Sequence, residues 1–155
     1  MERPSAVRAV FWSVIAVGAV VASELFVPPV TEFLRGPMLF LLPPTVFSAL
    51  GASLTVLALR GGAVGRLKRY LLLTGISAAA FVIFVMLHNV FYALAQLSAD
   101  AAVLSRLAEV LHVAFFLAAV IACPLGFVMG ASLSVVVFLT QRGGTVDGPG
   151  GGTRV

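Results

Sequence analysis

The stretch "YLLLTGISAAAFVIFVMLHNVFYALAQL", Tyr70 to Leu97, runs for about 28 residues without an Asp, Glu, Lys or Arg and without a period of two. About 20 apolar residues at 1.5 Å each cross a hydrocarbon core of roughly 30 Å. Backbone facing lipid must satisfy its own N–H and C=O groups, so such a run is a helix rather than a loop or an open strand. Three further runs are similarly apolar: Ala9–Val27, whose one charged residue is Glu24 near its end, Met38–Leu59 and about Val110–Thr140. They are separated by breaks rich in Pro, Gly or charge. The chain reads as an all-α polytopic membrane protein with four transmembrane helices in an antiparallel bundle over residues 1–142. Residues 143–155 form a Gly-rich tail with too few apolar side chains to offset its ordering entropy, and flexibility is expected there.

Composition agrees with this reading. Of 155 residues 61% are hydrophobic and 10% charged, with a mean hydropathy of +1.12. A soluble domain carries about 25% charged residues. The net charge of +4 does not indicate nucleic acid, because the basic residues sit at the ends of apolar runs rather than along a stripe. Their partners are lipid headgroups. The single cysteine, Cys123, excludes an intrachain disulfide and a CxxC motif. Arg3 and Arg8 before an apolar run ending in "VAS" imitate a signal peptide. Ala9–Val27 is nevertheless long enough to span, and is taken as the first transmembrane helix.

With the N-terminus inside, Arg3, Arg8, Arg60, Arg66, Lys68, Arg69, Arg142 and Arg154 lie on the inner side, and only Arg35 and Arg106 outside. That asymmetry predicts a multi-pass cell-membrane protein with both termini cytoplasmic.

Two segments match: "GASLTVLALRGG" from Gly51 and "GASLSVVVFLTQRGG" from Gly130, preceded by Pro43–Pro44 and by Pro124. Either the chain holds two repeated helical hairpins about an axis along the membrane normal, or small residues recur where helices pack. Gly126, Gly130 and Ser134, with Ser48, Ala52, Thr55, Gly75 and Ala79, are the expected packing residues. The prolines are expected to kink or break their helices.

The polar residues that carry candidate chemistry lie toward the outer ends of the third and fourth helices. His88, Tyr92 and Gln96 recur at i, i+4, i+8 with Asn89 beside them, and counting from Arg69 places them where the lipid ends. Ser105, Glu109 and His112 share a stripe on the fourth helix. A hairpin turning near Asp100 brings His88 and His112 to similar heights, with Glu24 near the same level. His88, His112, Glu109 and Glu24 are a plausible donor set for zinc or another transition metal. The two histidines alone suit a haem, with Arg106 near its propionates. The other reading is interfacial hydrogen bonding, with Asn89 and Tyr92 partnering His88. HExxH is absent, and the one ExxH, Glu109 to His112, is half of what a bundle di-metal site needs. No catalytic nucleophile with a base is legible.

The third and fourth runs exceed the first two by about 9 residues, or over 10 Å of helix. Part of this is absorbed by tilt. The rest projects an apolar hairpin bearing Phe91, Leu94, Phe115 and Phe116, which favours self-association or contact with other membrane subunits through the outer ends of helices three and four. The leading expectation is a non-enzymatic oligomeric or accessory structural subunit without a cofactor. The alternatives are a metal- or haem-binding redox subunit using His88 and His112, and a small transporter. For transport the inner halves offer few polar groups.

Overall fold

The computed structural model describes residues 3–29, 37–61, 65–98 and 100–143. The tail beyond Gly143 and most of the "PPVTEFLRGP" link lie outside them. Among the described residues the named α-helices are, in order, α1 (Arg3–Phe26), α2 (Pro37–Arg60), α3 (Gly65–Leu97), α4 (Ala102–Leu117) and α5 (Cys123–Gly143). A π-helical turn, Ala118–Ala122, fuses α4 to α5. Among the described residues four stretches are long and apolar enough to cross a membrane: Ser5–Phe26, Leu39–Arg60, Gly65–Leu97 and Ala102–Thr140. The protein is an all-α, four-helix membrane bundle. Its fourth span begins at Ala102 rather than Val110, because Arg106 and Glu109 ride on the exposed side of α4 without interrupting it.

α3 is the hub. It packs along α2 on one flank and along α4 and α5 on the other, whereas α1 packs mainly on α2. The core is thin, as it must be when lipid covers the outside. Phe11, Val14, Leu54, Ala58, Leu71 and Ala78 are its most enclosed apolar residues.

Helices in lipid are held by close approach and hydrogen bonds, not by a hydrophobic gain on association. The α2–α3 crossing shows both. A Cβ on Gly51 would lie 2.7 Å from the Ala79 nitrogen and 2.8 Å from the Gly75 oxygen, and one on Gly75 would lie 2.9 Å from the Gly51 oxygen. The two backbones are therefore in contact. One turn away, Ser48 Oγ donates to the carbonyls of Ala78 (2.9 Å) and Ala79 (3.2 Å) and accepts from the Val82 N–H at 3.3 Å.

The matching "GASL" segments do not occupy symmetric places. A two-fold relation that sends α2 against α3 would send α5 against α1. Instead Gly130, like Gly51, meets α3, where an added Cβ would sit 2.7 Å from the Thr74 nitrogen. Both segments thus place their first glycine against the same helix.

The prolines behave differently from one another. α2 continues as helix through Pro43 and Pro44, so the expected break is not there. Each proline deletes one hydrogen bond near the start of the helix, and Thr45 Oγ1 donates to the Leu41 carbonyl at 2.7 Å in that region. At Pro124 the helix is not broken either, but a π turn precedes the proline, ending at Ala122. The Cys123 N–H donates to the carbonyl of Ala118, five residues back. The widened turn relieves the clash of the proline ring with the preceding turn.

Most of the described basic residues gather at one end, Arg106 being the exception. Arg8 lies over the Phe138 ring at 5.5 Å from its centroid, and Gly61 lies beside Val7. The start of α1, the end of α2 and the end of α5 thus share a level. α1 and α2 have 24 residues each, while α3 has 33. With basic ends flush, the α3–α4 hairpin stands roughly 13 Å beyond the other end of α1.

Candidate functional site

The projecting hairpin is held by an aromatic ladder. Phe115 of α4 stacks on Phe84 (5.9 Å, 28°) and Phe91 (5.4 Å, 19°) of α3. At its turn the Ser98 N–H donates to the Leu94 carbonyl, and Ser105 Oγ donates across the hairpin to the Ala95 carbonyl at 3.3 Å.

His88 and His112 meet inside this ladder, as the hairpin arithmetic predicts. Their ring centroids are 5.1 Å apart. His88 also lies 5.3 Å from Phe116, and His112 lies 5.6 Å from Tyr92, nearly edge-on. His88 Nδ1 is 3.0 Å from the backbone carbonyl of His112. A carbonyl only accepts, so Nδ1 carries the proton and Nε2 keeps the lone pair in the neutral ring. His112 Nδ1 is buried and has no hydrogen-bond partner among the described residues. The cluster thus contains one ring fixed in tautomer and one open hydrogen-bonding position.

Asn89 and Tyr92 do not serve His88 as expected. The Asn89 amide donates to the Val85 carbonyl of its own helix at 2.8 Å, and Tyr92 packs on His112 instead. Glu109 is exposed at the edge of α4 beside Arg106, Val110 and Val113. Glu24 does not join the histidines either. It falls three residues after Val21 on the stripe of α1 that includes Val7, Phe11 and Val14, and only 1% of its surface is exposed. Counting residues gave its height but not the face it occupies.

No three of His, Cys, Asp or Glu come together among the described residues, so the set His88, His112, Glu109 and Glu24 is not assembled. Haem ligation between the two rings also fits poorly. Trans ligation with metal–nitrogen bonds of about 2 Å needs ring centroids roughly 6 Å apart with a porphyrin between them. Here the ring centroids are closer than that. No family model, curated protein or solved structure matches the chain.

A structural histidine makes a checkable demand. His88→Gln should destabilise the hairpin by about 1 kcal/mol, one hydrogen bond's net value. Nitrogen NMR of the parent should show the His88 proton on Nδ1. A proton resident on Nε2 alone would contradict the assignment.

Proposed function

We propose that this chain is a non-enzymatic subunit of the cell membrane that works through its packing surfaces, as an oligomer or as an accessory part of a larger complex. The projecting tip of the α3–α4 hairpin carries this reading. Leu97 is 86% exposed, Val103 85% and Val110 66%. They stand beyond the end of α1, whose 22-residue span already measures about 33 Å, the thickness of the hydrocarbon core. On this reading they stand past the hydrocarbon, and exposed apolar side chains there mark an interface. The basic ends of the helices support a cytoplasmic placement of both termini and an outward-facing tip.

Val103→Cys tests the reading in whole cells, since the native Cys123 is buried. An impermeant thiol reagent should label the new cysteine from outside. Oxidative cross-linking should give either a band at twice the 16.1 kDa chain mass or an adduct of a different mass that identifies another subunit. Pairing Leu97→Lys with Val103→Lys should weaken the association at least tenfold, because burying each side chain is worth about 1.5 kcal/mol or more. A chain that stays uncross-linked and monomeric in native membranes would sink the proposal. Labelling only after permeabilisation would reverse the orientation.

A further inference from the structure

α1 and α5 come together at the basic end, where Phe11 meets Phe138 edge-on at 5.3 Å, and again where the Phe127 ring reaches Gly18; beside these contacts a furrow runs between them. It consists of two hollows of about 460 and 320 Å³ that share Ile15, Phe127 and Val128 as walls. Trp12 lines its basic end, and Ala19 and Ala22 its far half. These alanines and Val128 are exposed, so the furrow opens sideways to lipid. From Trp12 to Leu25 it runs about 20 Å, more than the roughly 15 Å depth of one leaflet. Apart from Ser132 its lining side chains are apolar.

One turn below Trp12, exposed Arg8 lies over Phe138, which itself packs on Phe11. A cation thereby stands about one turn beyond the basic end of an apolar channel, on a side chain long enough to extend toward the headgroups.

We propose that this furrow selectively holds one acyl chain of an anionic glycerophospholipid, with the lipid phosphate on Arg8. The chemistry divides as the furrow does: hydrocarbon against the aromatic and alanine walls, and an anion against the guanidinium. A helix from a second copy suits the furrow less well. Packed in parallel it would bring its own basic end, with Arg3 and Arg8, against Arg8 here. The proposal rests on the basic end lying among headgroups and is independent of what docks at the hairpin tip.

Trp12 is the only tryptophan in the chain, so it reports the furrow directly. The full chain would be reconstituted in phosphatidylcholine vesicles, with a small fraction of lipid replaced by brominated phosphatidylglycerol or by brominated phosphatidylcholine. Bromine quenches indole on contact. The anionic lipid should quench Trp12 with about fivefold higher relative affinity, the advantage one arginine gives at an anionic headgroup. Arg8→Gln should bring the two lipids to parity. Ala19→Phe should reduce quenching by both, because the ring occupies the furrow. Equal quenching by the two lipids in the unaltered chain would overturn the proposal, and that arm needs no variant to fold. A preference unchanged in Arg8→Gln would assign it to the general charge of the basic end and would equally overturn it. So would quenching relieved by dimer formation at Ala19, which would place a second copy's helix in the furrow.

Discussion

Gly51→Leu should yield no folded bundle. The site has no room even for a methyl group, since a Cβ there would stand 2.6 Å from Ala78 Cβ and 2.7 Å from the Ala79 backbone nitrogen. Backbone atoms cannot rotate aside as a side chain does, so α2 and α3 would have to separate. Separation would also stretch the three hydrogen-bond contacts of Ser48, one turn away. Overpacking by one or two methylenes costs about 1–3 kcal/mol, and Gly51→Ala should fall in that range. Leucine exceeds what the crossing can absorb. Elution in mild detergent and the midpoint of denaturation by a strong detergent would measure both variants. Val136→Leu, at an exposed position, should change stability by less than about 0.5 kcal/mol. If Gly51→Leu behaved like Val136→Leu, the backbone contact would be refuted.

Phe47→Ala has the next largest expected effect, about 3 kcal/mol. Phe47 is the ring on which three helices converge. It meets Phe127 of α5 at 5.1 Å and Phe81 of α3 at 6.3 Å, both nearly perpendicular. It also lies against Gly18 of α1. Only 6% of it is exposed. Phenylalanine truncation in a packed interior costs about 3–5 kcal/mol. The low end applies here because lipid tails or neighbouring rings can enter the space left by the ring. Phe47→Leu should cost less than half as much. Thermal unfolding in detergent would separate the two variants, and equal melting points would show that the ring is not a keystone.

Much of this was legible in the sequence, and the reason is physical. A membrane allows few backbone solutions, so a charge-free run such as Tyr70–Leu97 dictates its own helix. Hairpin connectivity then pairs residues equidistant from the turn, which is why His88 finds His112. Azimuth was harder to read. Glu24 counts to the right height yet points into the bundle, and only its spacing from Val14 and Val21 could have shown it. Arg106 and Glu109 resembled a chain break because charge usually marks the end of a span. On a helix that begins at Ala102 they simply face outward. Asn89 illustrates a further limit, since a short amide at a helix surface readily bonds its own backbone four residues back. Which helix receives a packing glycine is set by the whole bundle, so Gly130 could not be assigned to α3 from its local sequence.

The π turn at Ala118–Ala122 bears on how this chain tolerates changes in length. A turn closed five residues back, as between Cys123 and Ala118, stores one residue more than an α-helix needs. Losing one residue there would convert the turn to ordinary helix and leave α5 facing as before. Losing one within Leu125–Leu139 would swing every later side chain about 100° around the axis and carry the rest of the α3-facing stripe away from its partner. The fourth span therefore has one place where a deletion is a local event, and it lies just ahead of the proline that made the spare residue useful.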